Sequence, residues 1–264
     1  MDKKNIINLH HSDPDSNKLR TKEYLKRFNR QKTLKYLIDD VTPIIFDLGA
    51  NDGASTDEFK KWWPDSTVHS FEPQEECWFE FNKVLKIYND GSVIFNKIAV
   101  GNESTDNKKF YTHDINTGLS GFNKINTKSS DSIDINKLRN DGDIDKLKKY
   151  RKSFNNERTV QVIRLDDYMN DNDIDLVNLV KMDCQGFEPE ILEGFGNRLS
   201  DVQLVVTELM FYDLYERSLS FSDIEKFLLP KGFQLYDISH IAKNPMNGRT
   251  DWVDVLYLNT NLIL

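Results

Sequence analysis

What the chain lacks narrows it first. It has only two cysteines, Cys77 and Cys184, far apart, with no CxxC pair and no Cys/His spacing that suits zinc. Two free thiols in a reducing compartment is the simplest account. No stretch approaches the ~18 apolar residues of a membrane helix, and the opening MDKKNIINLHHSDPDSNK has no apolar core of a signal peptide. A cytoplasmic protein without membrane insertion is expected. Positive charge is not in excess either. Against 35 Lys and Arg stand 43 Asp and Glu, a net charge of −8. That disfavours a broad nucleic-acid footprint, and no nucleic-acid partner is expected. The GxGxxG spacing of a dinucleotide turn and the Lys-Ser/Thr of a phosphate-binding loop are also missing, which counts against NAD and ATP.

What is present is organised around IIFDLGANDGAS, residues 44–55. An apolar run, too short for an independent helix, ends at Asp47, and a tight loop with Gly49 and Gly53 follows. This reads as a buried parallel strand, a glycine turn and a helix start. Such a turn brings backbone N–H groups close to a polar ligand. Upstream, residues 1–17 read as a frayed tail. Residues 18–39 carry Leu19, Leu25, Phe28, Leu34, Leu37 and Ile38 at helical spacing, one amphipathic helix before the core. The division is a tail and helix at 1–40 and a domain at 41–264.

Downstream, TVHSFE ends in Glu72 and SVIFNKIAV ends before Gly101, with a helix from about Gln74 to Ile87 between them. The β-α-β-α-β alternation predicts a doubly wound α/β sheet with right-handed crossovers. From Asn102 to Arg158 the pattern loosens, and a polar insertion at about 123–158 reads as an active-site flap or a disordered segment. Order returns with TVQVIRLDDYM, LVNLVKMDCQGFEPEILEGF, VQLVVTELMF, a helix over about 221–229, and the closing strands FQLYDIS and WVDVLYL.

Ligands of open α/β sheets bind beyond the carboxyl ends of the strands. The polar residues there form a set: Asp47, Gly49, Asn51, Gly53, Glu72, Asp183 and Glu208. Glu72 closes the second strand about 20 residues after the glycine turn, where a carboxylate can accept hydrogen bonds from ribose hydroxyls. The competing reading is an acid placed by the dipole of the next helix. Lys181 and Asp183 share a strand face, so an ion pair is expected. Two carboxylates at neighbouring strand ends, Asp183 and Glu208, suit a shared Mg²⁺, a shared proton or substrate orientation. Glu188 reads as a first-turn acid, and His113 and His240 as histidines within reach of a substrate.

DLGANDG (47–53), SFEP (70–73), VIRLDDYM (162–169) and VKMDCQGFEPEILEGF (180–195), in that order, resemble the FkbM-type S-adenosylmethionine (SAM)-dependent methyltransferase family. The last block is the most specific; it departs from the family in having Gln185 where Glu is usual. TGLSGF (117–122) falls where the family often has a small, serine-containing turn. The resemblance implies a Rossmann-like class I methyltransferase fold, a mostly parallel seven-stranded sheet with helices on both faces and one antiparallel strand in the last pair. It implies O-methyl transfer from SAM to a hydroxyl of a sugar, sugar nucleotide or glycan precursor. Asp47, Gly49, Asn51 and Gly53 would frame the methionine part, Glu72 hold the ribose, and Ala99 and Val100 flank the adenine. Asp183 would act as base or orienting group, supported by Glu208 and Lys181. A non-sugar acceptor and a non-catalytic SAM-binding module are the alternatives, and a homo-oligomer stays open.

Overall fold

The computed structural model describes residues 17–114, 116–129 and 141–262. A seven-stranded sheet runs in the order β3-β2-β1-β7-β8-β10-β9. Its strands are β1 (Ile44–Leu48), β2 (Thr67–Phe71), β3 (Val93–Asn96), β7 (Val177–Met182), β8 (Val202–Met210), β9 (Phe233–Lys243) and β10 (Thr250–Asn259). β10 lies antiparallel between β8 and β9, and every other pairing is parallel. The chain reverses its direction of travel across the sheet between β1 and β7. That is the switch point where an open α/β sheet leaves a crevice.

The apolar runs lie where both faces are covered. All six residues of β7 are buried, and so are Ile45, Phe46 and Leu48 of β1. On one face, α2 (Arg30–Leu37) and α3 (Ala54–Trp62) bring Leu34, Leu37 and Phe59 against Ile45, Leu179 and Leu204. On the other, the helices α6 (Leu165–Asp171), α7 (Glu188–Gly194) and α8 (Phe221–Leu228) bring Met169, Ile191 and Ile224 into the core of Phe46, Val180 and Val205. Each such side chain contributes about 1.5–3 kcal/mol by leaving water. α4 (Glu75–Ile87) seats Phe81 against Ala50 and Val93 beside the glycine turn.

Three expectations need correction. The single helix over 18–39 is two, α1 (Asn17–Arg27) and α2. Asn29 breaks it, adopting an extended backbone and capping α2 by accepting from the Lys32 N–H at 2.8 Å. SVIFNKIAV is not one strand. β3 ends at Asn96, and Ala99–Val100 (β4) turn away to pair in parallel with β6 (Asn156–Ile163). β6 pairs antiparallel with β5 (Thr105–Thr112), forming a second, three-stranded sheet in the order β4-β6-β5. β5 lies in the stretch where the sequence pattern loosened, because its exposed positions are filled by Lys, Asp and Asn.

Among its described residues the tract at 123–158 is anchored at a few buried positions. Ile125 pairs with Tyr215, and Tyr150 and Phe154, from α5 (Ile144–Lys152) and the residues after it, join Leu119, Ile125, Tyr212 and Leu214 in a small core of their own. The segment INKLRND lies mostly outside the described residues. Among the described residues no helix is long and apolar enough to cross a membrane.

Candidate active site

A cleft enclosing about 610 Å³, part of it open to solvent, lies above the carboxyl ends of β1, β2 and β7. Its floor and rim come from four pieces of chain: Gly49 and Asn51, Phe71–Gln74, Asp183–Gln185, and the 117–122 turn. Ala99, Val100, Phe110 and Phe122 close one end with apolar surface.

The glycine turn is built by close backbone approach. Gly49 has φ +75°, and a Cβ there would stand 2.2 Å from the Asp183 carbonyl oxygen. Gly53, at φ +89°, caps α3 in a left-handed conformation, with Val84 and Phe81 within 3.0 Å of where its Cβ would be. Any side chain at either position must displace its neighbours. Asn51 is itself left-handed, at φ 46°. Its Oδ1 accepts from the Thr117 hydroxyl at 3.1 Å, tying the turn to 117–122.

Glu72 is 7% exposed, and each of its oxygens accepts one backbone N–H. Oε2 accepts from Asn51 at 3.0 Å and Oε1 from Gln74 at 2.8 Å. A carboxylate has about four lone-pair sites, so each oxygen keeps acceptor capacity for a ligand. Burial pushes its pKa up to about 7, against the pull of the two N–H groups and Lys181. A buried diol acceptor beside an apolar end is the donor and acceptor pattern that a nucleoside needs. The residues present fit SAM.

The predicted residues divide in two. Gly49, Asn51, Glu72, Ala99, Val100 and Asp183 line the cleft. Asp47 and Gly53 lie beneath it as supports. Asp47 is fully buried and accepts from the Thr56 hydroxyl at 2.7 Å, with Lys181 Nζ at 3.5 Å from its other oxygen. The expected ion pair is a bridge. Lys181 Nζ also lies 3.6 Å from Asp183 Oδ2 and donates to the Gly49 carbonyl at 3.4 Å. Burial works against the Lys181 charge, but Asp47 and Asp183 more than offset it and its pKa is raised.

Asp183 has a side chain 42% exposed, and its Oδ1 accepts from Gln185 Nε2 at 2.7 Å. Gln185, left-handed at φ 56°, meets the Tyr215 hydroxyl through its Oε1 at 2.5 Å. A carboxylate at 185 could not donate to Asp183. Glu208 stands inside β8, opposite Asp254 of β10, and lines a different, narrower cavity. Burial, then the charges of Asp183, Asp254 and Glu188, push its pKa up to about 8. Among the described residues no group of three or more His, Cys, Asp or Glu side chains is arranged to hold a metal ion. The donor set does not support Mg²⁺ at Asp183 and Glu208.

His113 is 1% exposed and packs against Tyr150 and Phe154, and His240, on β9, stacks on Trp252 of β10, so neither lines the cleft. Thr117, Ser120, Phe122, Phe110 and Gln74 are cleft residues that the sequence did not single out individually. For Thr117, Ser120 and Phe122 the signal was TGLSGF, readable as a turn but not as a wall of the site.

Comparison with known proteins gives a consistent class. The family model described as the methyltransferase FkbM domain matches residues 47–235, and the chain belongs to this family. It is 26% identical over 233 residues to the 2-O-methyltransferase NoeI of Sinorhizobium fredii (strain NBRC 101917 / NGR234), covering 86% of this chain and 83% of that protein. It is also 26% identical over 200 residues to Methyltransferase 1 of Beauveria bassiana (strain ARSEF 2860), covering 74% of this chain and 75% of the other. Among solved structures, the FkbM methyltransferase of Methylobacillus flagellatus KT superposes with a TM-score of 0.50 at 15% identity, over 90% of this chain. The chain spans 50% of that protein's length, and the likeness concerns the fold alone.

Proposed function

We infer that the protein transfers the methyl group of SAM to a hydroxyl oxygen of a sugar or glycan precursor. The observation that carries the cofactor is Glu72, a buried carboxylate held by two backbone N–H groups at the rim of the cleft. When bound, SAM supplies an electrophilic methyl on a sulfonium, and transfer leaves a neutral thioether. On this reading Asn51 and the Gly49 turn orient the methionine end, and Ala99 and Val100 pack on the base. Asp183 lines the same cleft, exposed enough to meet an acceptor, and takes the proton that the hydroxyl gives up as its oxygen bonds to carbon. Lys181 and Gln185 fix the orientation of that carboxylate. Positioning of the reacting oxygen supplies much of the acceleration. Transfer to oxygen is supported by the name of the NoeI relative, which specifies a 2-O-methyltransferase.

The test is to incubate the protein with isotopically methyl-labelled SAM and a mixture of glycosides and sugar nucleotides. Gain of one labelled methyl, located on oxygen by NMR, is expected. Asp183→Asn should slow turnover about 100-fold or more with SAM affinity kept. An unchanged rate would remove Asp183 from the chemistry.

A further inference from the structure

Gln185, in the wall of the cleft, is held from several directions. Its backbone is left-handed at φ 56°, an uncommon state for a residue with a Cβ and one that persists where the surroundings impose it. Its carbonyl accepts from Asn123 Nδ2 at 3.1 Å, and Gly121 comes so close that a Cβ there would stand 3.2 Å from Gln185 Cβ. The side-chain amide bridges Asp183 and Tyr215. Nε2 donates to Asp183 Oδ1 at 2.7 Å, and Oε1 accepts from the Tyr215 hydroxyl at 2.5 Å. That hydroxyl also lies 3.1 Å from the Leu119 carbonyl oxygen, a second acceptor within its reach. A phenol has one proton, so it serves one of the two acceptors fully at a time. The amide has a donating and an accepting side of nearly equal shape.

We propose that Gln185 is a positioning residue whose amide reverses when Asp183 takes up the acceptor's proton, so that the carboxyl group keeps a hydrogen-bond partner before and after methyl transfer. With Asp183 ionised, Gln185 donates to it and Tyr215 donates to Gln185, as the structure shows. With Asp183 protonated, Oε1 accepts from the carboxyl, Nε2 donates to the Tyr215 oxygen, and the Tyr215 proton turns to the Leu119 carbonyl. All three side chains are satisfied in both arrangements. Lys181 Nζ stands 3.6 Å from Oδ2, and its charge opposes a proton there, so the proton is held on Oδ1, facing Gln185. In the transfer itself the hydroxyl oxygen bonds to the methyl carbon, the carbon–sulfur electron pair stays on sulfur, and the hydroxyl proton passes to Asp183. The Asp183 side chain, 42% exposed, then gives the proton to water and the amide turns back. A donor that could not reverse would oppose the proton uptake, and a carboxylate at 185 would repel the ionised form.

The proposal rests on the O-methyltransferase reading above, but its first test needs no acceptor. The wild-type protein, labelled with 13C-aspartate and 15N-glutamine and saturated with S-adenosylhomocysteine, is titrated from acid to alkaline pH and followed by NMR. Lys181, Cys184, Glu188, Glu208, Tyr215 and Asp254 all lie close enough to feel the Asp183 charge, and Glu188 and Glu208 titrate near 7 and 8. A pH-dependent rate alone therefore does not single out Asp183, whereas the Gln185 amide signal does. It is expected to shift with the Asp183 carboxyl signal at one shared midpoint, and that response should vanish in Asp183→Asn. Tyr215→Phe, which keeps the ring in the small core and removes only its oxygen, should shrink the amide shift. The second test reads kcat against pH at saturating SAM, with the acceptor found in the labelled-methyl assay. Gln185→Glu should lower kcat at pH 7 about tenfold or more and move the acid limb up by about one pH unit, with SAM affinity retained. An amide signal that stays fixed while the Asp183 carboxyl titrates, or an acid limb unmoved in Gln185→Glu, overturns the proposal and leaves the O-methyltransferase reading standing. A coupled titration in a protein that methylates no oxygen supports the amide reversal and overturns that reading instead.

Discussion

At the residue scale, the protein carries three carboxylates where water would ordinarily not be given up. Glu72 and Glu188 titrate near 7 and Glu208 near 8, each lifted from 4.5 mainly by burial. Their folded pKa values lie above the unfolded ones, so between 4.5 and about 7–8 the native state binds more protons than the unfolded chain. Their contribution to stability is therefore complete below 4.5 and is lost as pH rises through 7–8. The melting temperature of the ligand-free protein should fall as pH is raised across this window, and Glu208→Gln, which removes one titrating group with no hydrogen-bond partner to lose, should flatten the fall. A melting temperature that rises steadily over the same window would contradict the burial of these groups. Ligand binding runs the other way. On the proposed reading Glu72 would accept ribose hydroxyls best when ionised, so SAM affinity should weaken as pH drops below about 7. Function and stability thus pull the same carboxylate toward opposite ends of the pH scale.

At the element scale, the strands that form the floor of the site were legible and the pieces that wall it were not. IIFDL and LVNLVKM are apolar on both faces, and only a strand covered on both sides suits such runs. The glycine turn was legible because Gly49 and Gly53 sit where the backbone must be left-handed and closely packed. By contrast β5 reads as a polar loop, since its solvent face carries Lys and Asn and its partner β6 lies far along the chain. The kink between β3 and β4 leaves no trace in the apolar pattern, because both halves are apolar and only their pairing partners differ. The tract at 123–158 was ambiguous for a related reason. Its small core of Leu119, Ile125, Tyr150 and Phe154 is assembled from residues spread over a long polar stretch and closed by Tyr212, Leu214 and Tyr215. Ile125→Ala should cost about 2 kcal/mol or more locally. Limited proteolysis should then cut within 123–158 faster, with the unfolding midpoint of the main sheet little changed. Equal protection in the variant would mean that Ile125 does not anchor this tract.

At the scale of the whole molecule, sheet order and site chemistry have one cause. The reversal between β1 and β7 opens a crevice, and the two strands flanking it deliver Asp47, Lys181 and Asp183 to one face of the sheet. The buried Asp47–Lys181 pair fastens the glycine turn to β7, so the groups that would hold the cofactor and those that would meet the acceptor are set by a single charge bridge. Breaking it would strand a fully buried carboxylate, which costs about 3–5 kcal/mol in comparable cases. Which strand ends border the cleft was legible, because ligands of open α/β sheets sit at those ends; which cavity each residue faces was not. Asp183 and Glu208 sit at neighbouring strands yet open onto different spaces, because the Gln185–Gly186 turn comes between them.

The central claim is that Glu72 holds the ribose of SAM in this cleft. Calorimetric titration of SAM into the wild-type protein and into Glu72→Gln, at pH 8, tests it most directly. One site is expected in the wild type, with affinity reduced about 10- to 100-fold in the variant, the worth of hydrogen bonds to a charged acceptor. No binding of SAM to the wild type, or equal affinity in the variant, would contradict the account.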